Sequence, residues 1–377
     1  MVGCDLVKVM LSSLISEILS SARGLSPADA KRALTGSQSD YSTVAVARWE
    51  DRLFCYSPHR LWYDLSSTGT ISAMSEASTT QAEVKSHYRH RRGPLPRPVI
   101  KWAGGKTQLL PHLLAHVPAS VGHYREPFVG SAALFFELWR AGRIKNATLS
   151  DVNSELIGLY KVIRDNVEGL IACLREHEHG KFDPAYFYTV RHWDREPTWQ
   201  HRPAVERAAR LIFLNKTCYN GLHRVNRRGQ FNVPWGRYTD PCVCDAPNLR
   251  AASTALANVE LRVGDFKTAL QDADDGDFIY LDPPYVPVSA TASFTAYSTH
   301  SFGAAEHREL AATFAELVAR GCRPLLSNSD TALVRELYKG FEIELVHARR
   351  AINAQREGRG PISELIVVAS QSQRSTP

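Results

Sequence analysis

The chain has 377 residues, 44% of them hydrophobic and 22% charged, with a formal net charge of +6. That composition is ordinary for a soluble globular protein and affords a sizeable core in one large domain or two smaller ones. The mild positive charge suits a polyanionic partner without requiring one. No apolar run approaches the roughly 18 residues of a membrane span, which argues against membrane insertion. The seven cysteines are few, odd in number and scattered. Cys242 and Cys244 stand one residue apart, with no second pair and no His at zinc-finger spacing, so no metal site is expected. Reduced thiols fit a cytoplasmic protein.

Residues 1–95 are rich in Ser, Thr and Ala and end in the basic run HYRHRRGPLPRP. They read as a poorly ordered extension, with the apolar start forming an amphipathic helix rather than a signal peptide. All three methionines lie within it, so Met74 is a candidate true start. From Val99 onward strands and helices alternate. Tyr124–Phe128 is a strand, followed by Gly130 and the helix SAALFFELWRAG. Ala147–Asp151 is another, followed by one long helix over 153–177. Phe278–Leu281 is a buried strand running into two prolines. A helix over 306–321 leads to the strand PLLSN. FEIELVHA and SELIVVAS form a terminal antiparallel pair around an Arg-rich loop. Alternation of this kind predicts an α/β fold with a mostly parallel sheet, one antiparallel terminal strand and helices on both faces. The stretch 166–250 breaks the alternation and reads as an insertion. The boundaries that follow are 1–95, 96–165, 166–250 and 251–372.

In such sheets ligands sit beyond the carboxyl ends of the strands, and the chemically suggestive residues cluster there. KWAGGKT, residues 101–107, ends like a phosphate-binding loop, but the glycine required five positions before Gly105 is Ile100. Asp282-Pro283-Pro284-Tyr285 directly follows the strand FIYL. An exocyclic amine conjugated into a ring is a poor nucleophile, and a carboxylate and a carbonyl accepting its N–H groups would return electron density to nitrogen. Pro283 stiffens the loop and holds Asp282 out of helical geometry. Tyr285 offers a face on which a base can stack. In REPFVGSAALFF, Gly130 makes a turn that either lets a ligand approach backbone or is merely structural. Asp151 ends a strand, where an acid suits a ribose diol or caps a helix, and Asn153 can take over the capping. Asp265, before Phe266, has the same two readings. Between Lys216 and Arg237, Lys216, Arg224, Arg227, Arg228 and Arg237 alternate with Tyr219, Phe231, Trp235 and Tyr238. That pattern fits phosphates, guanine edges and stacked bases, or a solvated basic hairpin.

KWAGGK, EPFVG, SDVNSELI, NKTCYNGLHRVNRRGQFNVPWGRY and LDPPYVPVSATASFTAYSTHSF, in that order, resemble the Dam-type DNA adenine-N6 methyltransferases, the GATC methylases of the D12 class. The similarity runs from about Val99 to Ser370. It implies a class I S-adenosylmethionine-dependent methyltransferase sheet with a helical target-recognition insertion at 166–250. It implies S-adenosylmethionine as cofactor and double-stranded DNA as partner, with the chain acting as a monomer in a bacterial or phage-infected cytoplasm. By that resemblance Trp102, Lys106, Phe128, Gly130, Asp151, Asp265, Phe266 and Asp282 form the cofactor side. Asp282, Pro283, Pro284 and Tyr285 form the catalytic loop. Lys101, Tyr219, Asn220, Leu222, Arg224, Pro234 and Tyr238 face DNA, with Tyr219 and Asn220 beside a flipped base and His223 an exposed bystander. One departure is Ala132, where the family has a second glycine. Two rivals accompany this reading: methylation of a glutamine amide in a protein, which also suits a proline-bounded loop, and a DNA-binding module without turnover.

Overall fold

The computed structural model describes residues 95–102, 104–287, 302–349 and 361–369, and the backbone of three short strands nearer the amino terminus. Those strands, β1 (Ala45–Trp49), β2 (Arg52–Tyr56) and β3 (Trp62–Leu65), form an antiparallel meander. They belong to a unit of their own, Met1–Ala82, and the sequence reading did not anticipate them.

The second unit is built on seven strands: β4 (Val121–Glu126), β5 (Ile144–Asp151), β6 (Val259–Val263), β7 (Phe278–Leu281), β8 (Arg323–Ser329), β9 (Glu342–Arg349) and β10 (Pro361–Val368). Their order across the sheet is β6-β5-β4-β7-β8-β10-β9. The first five strands pair in parallel; β10 runs antiparallel to both β8 and β9. The expected antiparallel strand is therefore last in the chain but lies inside the sheet, with β9 at its edge. Chain order reverses direction between β4 and β7, so the crevice at a topological switch point opens beyond the carboxyl ends of these two strands.

Alternation along β7 shows how the sheet is covered. Phe278 and Tyr280 point into one core with Tyr124, Phe135 and Leu149; Ile279 and Leu281 point into a second with Leu310, Phe314 and Leu365. All four are buried, as a strand covered on both faces requires. Helices α1 (Leu110–His116), α2 (Ala133–Arg140) and α3 (Ser154–Asp165) serve the first core. Helices α8 (Phe266–Leu270), α9 (Ala304–Ala319) and α10 (Ala332–Leu337) serve the second. Between β5 and β6 the chain also forms α4 (Val167–His177), α5 (Pro184–His192), α6 (Ala204–Thr217) and α7 (Ala246–Leu256), which share the first core.

The single helix expected over 153–177 is two. Asn166 leaves helical geometry (φ −148°, ψ 53°), ends α3, and caps α4 by accepting the Gly169 N–H. The apolar periodicity runs through the break, but the side chain of Asn competes for backbone donors better than it supports a helix interior. No helix among the described residues is long and apolar enough to cross a membrane.

Candidate active site

Three loops meet at the switch point. The first is Lys101–Lys106, where Gly105 N–H closes a turn on the Trp102 carbonyl at 3.1 Å before a 3-10 turn at Lys106–Gln108. The second follows β4. Gly130 takes φ +45°, and a Cβ there would stand 2.9 Å from Trp102 Cδ1, so only glycine lets the indole lie on this turn. Ala132, which stands where the family has a second glycine, takes a left-handed conformation (φ 56°, ψ 33°), with its methyl fully buried at the start of α2. A residue with a Cβ in that region carries a strain of about 1–2 kcal/mol. The third loop is Asp282-Pro283-Pro284-Tyr285, running on from β7.

Together these loops line a narrow cleft that includes Trp102, Lys106, Glu126, Gly130, Tyr280 and Asp282. Lys106 Nζ lies 2.7 Å from Asp282 Oδ1 and 4.6 Å from the centre of the Tyr285 ring, and donates to the Gly104 carbonyl. Lys106 is 6% exposed, so its ammonium is fixed by these partners rather than by water. Ser327 Oγ donates to Asp282 Oδ1 at 3.1 Å and is itself bonded to Tyr280 Oη at 2.8 Å. Burial pushes the Asp282 carboxyl above the usual range, against the pull of Lys106 and Ser327. Glu126 is raised much further by burial, although the Tyr124 hydroxyl donates to it at 2.9 Å. Tyr285 Oη donates to Glu364 of β10, and the Val286 N–H to Asn328 of β8, which fixes the far end of the loop to the sheet. Pro283 is buried and Pro284 exposed.

Asp151 closes the other side. Its Oδ2 accepts the Gly130 N–H at 3.3 Å and its Oδ1 the Asn153 N–H at 2.9 Å. Asn153 caps α3, accepting from Glu155 and Leu156, so that helix does not need Asp151 as its cap. Burial again raises the carboxyl of Asp151. Phe128 stacks on Phe266 at 5.7 Å beside Phe302. Asp265 has the capping role, accepting the Thr268 N–H at 2.8 Å. Residues 288–301, part of the stretch that carried the resemblance, lie outside the described residues. Among the described residues no cluster of His, Cys, Asp or Glu could hold a metal ion.

A hairpin after α6 stands beside this cleft, with bridges Cys218↔Trp235 and Val225↔Phe231. Arg227 and Arg228 are exposed at its tip, where Asn226 Oδ1 accepts the Arg228 and Gln230 N–H groups and Gly229 takes φ +75°. Arg224 is exposed, and Asn232 steers its guanidinium through a 2.7 Å bond from Nε. Tyr219 is 48% exposed, and Asn220 beside it is left-handed (φ 57°). Pro234 is exposed, while Leu222 is half-buried against the core. Lys101 Nζ lies 5.5 Å from the Tyr238 ring, which joins the Lys101–Lys106 loop to the far side of the hairpin.

Two expectations fail here. Phe231 is 2% exposed and cannot meet a base. His223 is no exposed bystander: it is 3% exposed, with its ring stacked on Trp102 at 4.8 Å. The charges along the hairpin masked an alternation in which His223, Phe231 and Val233 turn inward while Arg224 and Pro234 turn outward. The sequence reading also missed Arg210 of α6, a fully buried arginine. It donates to the Val190 and Arg191 carbonyls and pairs with Asp194 at 2.7 Å, which gives its charge the partners burial demands.

Residues 102–352 match the D12 class N6 adenine-specific DNA methyltransferase family. The chain belongs to that family. It is 41% identical over 273 residues to the type II methyltransferase M1.LlaDCHI of Lactococcus lactis subsp. cremoris, covering 72% of this chain and 94% of that protein. It is 39% identical over 286 residues to the type II methyltransferase M.MjaIII of Methanocaldococcus jannaschii, covering 72% and 98%. To the DNA adenine methylase of Escherichia coli K12 it is 35% identical over 272 residues, covering 72% and 95%. This D12 methyltransferase is thus an enzyme, an adenine-specific DNA methyltransferase, and neither the protein-amide reading nor the module without turnover stands beside that membership.

Proposed function

We propose that this methyltransferase uses S-adenosylmethionine to methylate adenine N6 within GATC in double-stranded DNA, with Asp282 activating the amine. The observation that carries the reading is the Asp282-Pro283-Pro284-Tyr285 loop at the switch point, its carboxylate held by Lys106 and Ser327 beside Trp102, Gly130 and Asp151.

The residues fit the cofactor by charge. Burial pushes the carboxyls of Glu126 and Asp282 up against the pull of Lys106, so a positively charged ligand beside them would favour their ionised forms. Bound there, S-adenosylmethionine supplies an electrophilic methyl on a positively charged sulfur. Trp102, Lys106, Phe128, Gly130 and Phe266 would hold it, with Asp151 at its ribose and Asp265 at the cleft edge. Asp282 accepts one N–H of the adenine amine, and a loop carbonyl freed by the prolines accepts the other. Tyr285 stacks on the base, and the site contributes orientation and electrostatics rather than a covalent intermediate. The cleft lies beyond the strand ends, so the target adenine must leave the helical stack to enter it.

Lys101, Tyr219, Asn220, Leu222, Arg224, Pro234 and Tyr238 form the DNA side. The bond from Arg224 Nε to Asn232 supports a role for this exposed guanidinium in reading a guanine, with Arg227 and Arg228 at the hairpin tip meeting phosphates. On this reading residues 166–250 are the target-recognition insertion between the two catalytic portions 96–165 and 251–372. The test is sequencing, with modified-base detection, of DNA from cells expressing the chain. N6-methyladenine at GATC is expected; methylation at another site would overturn the specificity, and none at all the activity.

A further inference from the structure

His223 is the hairpin residue whose ring stacks on Trp102. It stacks on Trp102 with planes 26° apart and meets Phe231 edge-on at 5.8 Å. Neither ring nitrogen has a hydrogen-bond partner among the described residues; Nε2 stands 3.8 Å from Glu155 Oε2. A buried imidazole without partners is costly, and an apolar side chain would fill the space more cheaply. Position therefore matters more here than packing.

The contacts around the ring join the hairpin to α3, α6 and the Trp102 loop. Glu155 lies in the first turn of α3, four residues after Asp151. It faces Arg210 at 3.4 Å; Arg210 pairs with Asp194, and Asp194 accepts the Phe231 N–H at 2.7 Å. Burial alone would push the Glu155 carboxyl up, yet His223, Arg210 and Arg207 together hold it below its ordinary value. Hairpin, α6, α3 and the Trp102 loop thus close into one ring of contacts, with the imidazole where the hairpin meets the cofactor side.

We infer that His223 is a positioning residue that couples the recognition hairpin to the cofactor loop. When the hairpin seats on DNA, the imidazole shifts against Trp102 and Glu155 and sets how firmly the cleft holds its cofactor. This rests on the proposed placement of S-adenosylmethionine beside Trp102. A ligand at one site changes affinity at another only if the element between them has two arrangements, and a stacked ring with no hydrogen bond to anchor it can slide.

The test is calorimetric titration of S-adenosylmethionine into the full chain, with and without a short duplex bearing one central GATC. In wild type the duplex should tighten cofactor binding by about tenfold, within the usual range of such coupling. His223→Leu should reduce that gain to below about twofold while changing DNA affinity little, and His223→Phe, which keeps the stack, should recover part of it. In turnover, His223→Leu should raise KM for the cofactor with kcat held, a split that a general loss of folding would not give. Should His223→Leu melt early, Glu155→Gln reads the same coupling with the ring in place. Full coupling in His223→Leu, or no coupling in a wild type that binds both ligands, overturns the role of His223 alone. A wild type that binds neither ligand overturns the site assignment itself.

Discussion

Replacing Asp282 separates chemistry from folding. Its two hydrogen-bonded contacts, from Lys106 and Ser327, both fall on Oδ1, so the carboxylate retains capacity on Oδ2 for an amine N–H. That bond strengthens as nitrogen becomes positive in the transition state. Losing one preorganised group of this kind costs roughly 10²–10³-fold in rate, or about 3–4 kcal/mol. Asp282→Ala should lower kcat by that amount. Stability should fall by less than the roughly 3–5 kcal/mol of a broken buried pair, because Lys106 keeps the Gly104 carbonyl and the burial cost of the carboxylate is relieved. Asp282→Asn keeps an acceptor for Lys106 and should fold like wild type with a similar loss of rate. The pH dependence has a definite sign. The raised carboxyl means that the ionised form, which catalysis needs, is lost on acidification at a pH above the ordinary value of 3.8. The same shift gives the folded state a stabilising contribution in acid that disappears as pH rises through the folded pKa. The assay is single-turnover incorporation of labelled methyl into a GATC duplex, paired with thermal melting. Methylation by Asp282→Ala within a few-fold of wild type would refute the proposed role.

Gly130→Ala should weaken cofactor binding, because the turn has positive φ and the new methyl would collide with Trp102; calorimetry showing unchanged affinity would remove Trp102 from the cofactor wall. Arg224→Ala should relax discrimination at one base pair by about 1–3 kcal/mol, read from methylation of duplexes with single substitutions in GATC. Arg228→Ala should instead weaken binding to all DNA alike and reduce its salt slope by about one.

The sheet and the Asp282–Tyr285 loop at its edge were legible because their signals are local. FIYL is a short apolar run ending in two prolines, and strand and motif are contiguous. The hairpin was only half legible. Arg224, Arg227 and Arg228 announced an exposed basic surface, and they are exposed. His223 and Phe231 sit among those charges, so composition hid the fact that they belong to the core. The ion pairs of Arg125 with Asp272 and Asp277 were invisible, since the partners lie about 150 residues away and meet only when β4 and β7 pair. Long-range electrostatics has no periodicity to read.

The charge balance of the cleft leads to the last prediction. Glu126 is buried and Asp282 half-buried, and Lys106 is the ammonium that meets Asp282 directly. Burial, with the neighbouring Asp282 charge adding to it, holds Glu126 well above its ordinary 4.5 and so favours proton uptake. A positively charged cofactor favours the ionised acids, so their pKa values fall on binding. Protons must then leave, and by linkage affinity must rise with pH and be lost as pH falls through the raised values of the free cleft. S-adenosylmethionine should therefore bind with net proton release, measurable as a binding heat that changes with the ionisation enthalpy of the buffer. S-adenosylhomocysteine lacks the sulfonium charge and should release fewer protons. Equal release by the two, or affinity independent of pH from the usual carboxylate range to neutrality, would show that Glu126 and Asp282 do not face the sulfonium.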